Sequence, residues 1–129
     1  MFGYTVEGFS LPDFNWTFAL SDEVPDTNSL EGLAVEQDTA HANTVKLATD
    51  DGKILGFILV AEDGKSQGEG ITVTVSLKGG HRVASSEQLA VGDHVVGAGA
   101  GKVKKDAASA SGIVVFEAID ANTAVVLQK

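Results

Sequence analysis

An all-β fold, a small antiparallel β-barrel or sandwich with an extended N-terminal arm, is what this sequence predicts, and three observations carry the prediction. The stretch GITVTVSLK alternates strictly, with Ile71, Val73, Val75 and Leu77 on one face and Thr72, Thr74, Ser76 and Lys78 on the other, the period of a half-buried strand rich in β-branched residues. Asp-Gly and Gly-Gly pairs, which supply the positive φ of tight turns, separate further short apolar runs at intervals of roughly 8 to 12 residues. Both prolines, Pro12 and Pro25, fall in the first 25 residues together with most of the aromatic side chains. That confines irregular chain to one end.

The elements follow in order. Residues 1–30 read as the arm, an aromatic and acidic lead-in ending in the polar, turn-rich SDEVPDTNS, and residues 31–129 read as the folded body. SLEGLAVEQ (29–37) is a short turn entering a strand. TVKLAT (44–49), KILGFILVA (53–61), GITVTVSLK (70–78), HRVAS (81–85), DHVVGA (93–98), GKVKK (101–105), GIVVFEAI (112–119) and TAVVLQ (123–128) are the expected strands. Hairpin turns are expected at Asp51-Gly52, Asp63-Gly64, Gly79-Gly80, Gly99–Gly101 and Asp120–Asn122. SSEQLA (85–90) is the remaining helical candidate, one turn capped by Ser85 or Ser86.

A chain of 129 residues is about one domain and large enough to bury a core without covalent staples. Cysteine is absent, so disulfide, thiolate-metal and thiol-nucleophile chemistry are excluded. No apolar run approaches the ~18 residues of a membrane-spanning helix, and no basic segment precedes an apolar run at the N-terminus. The expectation is a soluble, unexported chain without a membrane partner.

The net charge of −9 is unevenly spread. Eight acidic residues and no Lys or Arg occur through residue 45, whereas residues 46–129 hold ten acids and nine bases. Nucleic-acid binding needs clustered cations to displace phosphate counterions. The only such cluster is Lys102, Lys104 and Lys105, so a nucleic-acid partner is not expected.

Candidate chemistry is sparse. GAGAGK (97–102) fails the phosphate-loop pattern, because Val96 stands where the first glycine belongs and Val103 where the magnesium-holding hydroxyl belongs. It reads as a hairpin tip. His41, His81 and His94 lie 40 and 13 residues apart, unlike the short spacings of zinc ligands. Asp50-Asp51 lacks the alternating acids of a calcium loop, and no G-x-S-x-G elbow is present. No catalytic residue, cofactor or metal is therefore expected.

The arm is where function is expected. Phe2, Tyr4, Phe9, Phe14, Trp16 and Phe18 are six of the eight aromatic residues in the chain. An aromatic side chain buries ~150 to 250 Å² and dominates interface energetics, so these six are the candidate partner interface. A first strand that folds back onto its own body is the alternative use of the same residues.

The phrases of the body resemble those of the decoration, or cement, proteins of tailed-bacteriophage capsids. The residues that carry the resemblance are Gly56–Leu59, Gly70–Val75, Leu89–Val95, Gly101–Val103 and Ala118–Leu127, within about residues 43–128. The resemblance implies a non-enzymatic virion protein, made in the host cytoplasm. It implies binding to the capsid exterior that bridges neighbouring major capsid protein subunits, often as a trimer. A dimer is the other homo-oligomer considered. A carbohydrate- or ligand-binding β-module, with Trp16 or Tyr4 stacking on a sugar, is the alternative function, and an enzyme ranks third.

Overall fold

The computed structural model describes residues 15–21, 27–63 and 70–128, and these form ten strands and a single 3₁₀ turn. The strands are β1 (Asn15–Leu20), β2 (Ala34–Gln37), β3 (Thr44–Leu47), β4 (Gly56–Asp63), β5 (Ile71–Ser76), β6 (Gly79–Ala84), β7 (Val95–Gly99), β8 (Lys102–Lys105), β9 (Ile113–Asp120) and β10 (Thr123–Gln128). The 3₁₀ turn, Thr27–Leu30, leads towards β2 as the sequence predicts. The fold is all-β. Its strands β1-β3-β2-β4-β5 close a barrel, β6-β10-β9 form a three-stranded sheet, and β7-β8 form a ribbon. Strand pairs are antiparallel except β1 with β3, where Ala19 stands opposite Thr44 and Leu20 opposite Val45.

Two cores hold these sheets. Leu20, Leu30, Val35, Val45, Ile58, Ile71, Val73 and Val75 fill the barrel. Ala34, Ala48, Ile54, Phe57, Val83, Leu89, Val95, Val103, Ile113, Val115, Ala124 and Val126 form the second core. Alternation on two strands feeds both: Ala34 and Phe57 go to the second core, while their neighbours Val35 and Ile58 go to the barrel. A wall buried on both faces needs an unbroken apolar run instead of alternation, which is why β4 begins GFIL. Gly56 is required there, since a Cβ at that position would come within 2.6 Å of Val75 Cγ1 and overlap the Ser76 carbonyl.

β5 is the alternating strand that was expected, with Ile71, Val73 and Val75 buried and Thr72 and Thr74 half-buried. Ser76, assigned by period to the outer face, is only 5% exposed, because the strand ends there and its hydroxyl donates to the Lys78 carbonyl at 2.7 Å. Turn chemistry was read correctly at two hairpins. Gly99, Ala100 and Gly101 all have positive φ at the β7-β8 tip, and the Asn122 N–H donates to Asp120 Oδ1 at 2.8 Å between β9 and β10.

Of the remaining signals, Gly64 of Asp63-Gly64 lies outside the described residues, in the connection between the antiparallel neighbours β4 and β5, and the other two serve crossovers. Gly79 and Gly80 open β6 instead of capping a hairpin, pairing with Gln128 and Leu127 as the chain leaves the barrel for the second sheet. At Asp51-Gly52, β3 and β4 each pair with β2 and not with each other. Positive φ permits any sharp reversal, so the dipeptide alone does not identify which strands meet. SSEQLA is not helical: Ser85 bridges to Val103 and Leu89 is buried in the second core.

β1 lies inside the span assigned to the arm. Asn15–Leu20 closes the barrel by pairing with β5 along five positions, Asn15↔Ser76 to Ala19↔Thr72. Trp16, Phe18 and Leu20 share one face of this strand. The fold-back alternative thus holds for residues 15–20.

Candidate partner interface

Of the six aromatic residues expected to meet a partner, Phe2, Tyr4, Phe9 and Phe14 lie outside the described residues. Trp16 and Phe18 are on β1, and the structure separates their roles. Phe18 is half-buried against the barrel core beside Leu20, while Trp16 is 60% exposed. Their registers explain the gradient: Phe18 stands opposite Val73 in mid-strand, whereas Trp16 stands opposite Val75 near the end of the pairing with β5.

The edge of β1 is half open. The N–H groups of Ala19 and Ser21 donate to Asn43 and Val45 carbonyls, both at 3.0 Å, which closes the barrel seam. Asn15 and Thr17 have the same strand parity, so their backbone groups face the same way. They have no partner among the described residues. A cleft of about 260 Å³ adjoins this seam, lined by Phe18, Gln37, Asn43, Thr44, Val45 and Leu55. An exposed indole thus sits beside unpaired backbone donors and acceptors, a combination suited to receiving another chain.

The outer face of the same wall, opposite in parity to Trp16, carries a separate apolar group. Val60 stands opposite Thr74, which in turn stands opposite Thr17, and the two threonine hydroxyls approach to 3.4 Å. A register shift between Ile58 and Val60 leaves both Leu59 and Val60 exposed.

Several other polar groups are engaged locally. Lys104 Nζ lies 2.6 Å from Asp50 Oδ1 and 2.9 Å from Asp51 Oδ1, and hydrogen bonds to these two carboxylates push its pKa up. Asp106 accepts N–H bonds from Ala108, Ala110 and Ser111, and the backbone bonds to Ala110 and Ala108 hold its pKa below the usual carboxylate value. His94 Nδ1 is 2.6 Å from the Ser111 carbonyl, and His41 Nδ1 is 3.5 Å from Asp38 Oδ2. His81 instead lies against Phe57, ring centroids 4.8 Å apart, with Nε2 buried and unpartnered. The three histidines occupy three different settings, and among the described residues no group of three His, Asp or Glu converges as a metal site.

A cleft of about 520 Å³ is lined by Asp51, Lys53, Ile54, Asp106, Ser111 and Gln128 among others. Its carboxylates are those already bound to Lys104 and to the 108–111 backbone. Sequence reasoning missed the exposed apolar residues Phe116 and Ile119 on β9, exposed by 62% and 36%. The available signal was GIVVFEAI itself, which is apolar at both parities and so cannot bury all its side chains on one face.

No family model matches the chain, and no curated protein matches it.

Proposed function

We propose that this chain is a non-catalytic structural virion protein that binds the outer surface of a phage capsid and bridges major capsid protein subunits. The observation that carries the reading is Trp16, an indole 60% exposed on a strand whose neighbouring edge is open. Aromatic anchors of this kind dominate protein interfaces, and an open edge adds main-chain hydrogen bonds to the affinity. The phrases of the body that resemble decoration proteins support the same reading. With a net charge of −9, the chain suits a shell surface bearing Lys or Arg.

The test is co-sedimentation with assembled shells of the major capsid protein encoded alongside it. Trp16→Ala in the full chain is expected to shift stability by no more than about 0.5 kcal/mol, the range of surface substitutions, while weakening shell binding at least about tenfold. Wild-type affinity in this variant refutes the role given to Trp16. Absence of binding by the wild-type chain refutes the virion reading.

A glycan-binding module is the second reading, favoured by the proximity of Trp16 to a cleft lined by the amides Gln37 and Asn43. Micromolar binding on a glycan array, lost in Trp16→Ala, selects it over the first.

A further inference from the structure

The outward face of the three-stranded sheet is unpartnered among the described residues, and its arrangement is self-complementary. Val125 on β10 stands between Arg82 on β6 and Glu117 on β9. Leu127 stands likewise between Gly80 and Val114, and Thr123 between Ala84 and Asp120. These residues point away from the second core, because the intervening Val83, Ala124, Val126, Ile113 and Val115 are buried in it. A register shift between Val125 and Val126 inserts Phe116 as an extra residue on β9, and a bulge of this kind turns Phe116 outward beside Glu117. Phe116 is 62% exposed and Ile119 36%.

The face is therefore graded across its strands. The β6 side carries small residues, Gly80 and Ala84, and the cation Arg82. The β9 side carries bulky residues, Val114, Phe116 and Ile119, and the anions Glu117 and, at its rim, Asp120. Arg82 and Glu117 are two strand spacings apart, about 10 Å, and neither has an ion-pair partner among the described residues.

We infer that this face binds a second copy of the chain about a two-fold axis running along β10. Rotation about that axis, in the plane between two stacked sheets, lays β6 of one copy over β9 of the other while Val125 and Leu127 meet their own counterparts. Arg82 then faces Glu117 of the second copy, and Glu117 faces Arg82, as an isologous interface requires. Val114 enters the space left by Gly80, Asp120 stands over Ala84 at the rim of the face, and the Phe116 ring lies within reach of the opposing guanidinium. The two sheets stack in the aligned manner of β-sandwiches.

The occupant is a second copy because the charge and size gradients run in opposite directions from one central strand, so each half of the face is matched by the other half. This contact has two-fold symmetry, in contrast to the three-fold association implied by the resemblance. It stands independently of the virion reading, since it requires no shell.

The experiment is the mass of the full chain in solution by sedimentation equilibrium, with circular dichroism to check folding. A single three-stranded face is a small interface, so dimer is expected at about 100 µM and monomer on dilution. Arg82→Glu and Glu117→Arg each place like charges in contact twice per dimer and are expected to weaken association at least about tenfold. The double variant R82E/E117R restores the pairs and is expected to restore the dimer. A monomer at the highest concentration, a trimer, or a dimer whose mass ignores both single substitutions overturns the inference. Restoration by the double variant is the outcome that a merely destabilising substitution does not produce.

Discussion

At the level of single residues, His81 shows how a strand position becomes a titrating group with a consequence for stability. It belongs to β6, and its ring rests on Phe57 with Nε2 enclosed and unpaired. Burial lowers its pKa below the ordinary 6.5, and this outweighs a hydrogen bond at Lys78 that acts in the opposite sense. Above pH 6.5 the folded and unfolded chains both hold a neutral imidazole, so the group contributes no pH dependence. As the pH falls below 6.5 the unfolded chain takes up a proton that the folded chain resists, and stability declines until the folded-state pKa is passed. The urea midpoint of the wild type is expected to fall between pH 7 and pH 5 more steeply than that of His81→Phe, which retains a ring against Phe57 and cannot ionise. Parallel midpoint curves for the two proteins contradict this role. The sequence placed His81 after a glycine turn and in a strand, but its burial depends on Phe57, 24 residues away in the chain, and no local pattern reveals that.

At the level of elements, strands with one buried face were legible and strands with two were harder to place. β5 and β10 alternate cleanly, because each has one face on a core. β4 was recognisable as apolar, yet its division between two cores was not, since a double-sided wall erases the alternation that assigns faces. The substitutions Phe57→Ala and Ile58→Ala test that division. Each removes a fully buried side chain from a different core, with expected losses of about 3–5 and about 2–5 kcal/mol respectively. Because both cores share β2 and β4, each variant is expected to unfold in one transition at a lower urea midpoint. A second transition in either variant shows that the barrel and the second core are separable. β1 was obscured for a related reason. The glycines and Pro12 before it hid the short NWTFAL alternation, and its pairing with β3 is parallel and only two residues long.

At the level of the whole molecule, the chain commits several charged groups to internal order and leaves a set of large apolar side chains exposed among the described residues. Lys104 is held by Asp50 and Asp51, and Asp106 by backbone N–H groups of its own loop. Among the described residues the exposed large apolar side chains are Trp16 on β1, Leu59 and Val60 on the outer face of the barrel, Val91 in the turn before β7, and Phe116 and Ile119 on the three-stranded sheet. Trp16 marks the first surface, proposed to meet the shell, and Phe116 and Ile119 mark the second, inferred to meet another copy. The aromatic content of the first was legible in composition. The second was not, because its complementarity arises from register across β6, β10 and β9. Trp16 is the only tryptophan in the chain, which makes the proposed shell contact directly observable. With 5-hydroxytryptophan incorporated at that position, its emission can be excited apart from the tryptophans of the shell. Titration with assembled shells is expected to shift the emission to shorter wavelength and to protect it from acrylamide quenching as the indole leaves water. Emission and quenching that remain those of the free chain, while the chain co-sediments with the shells, contradict the account.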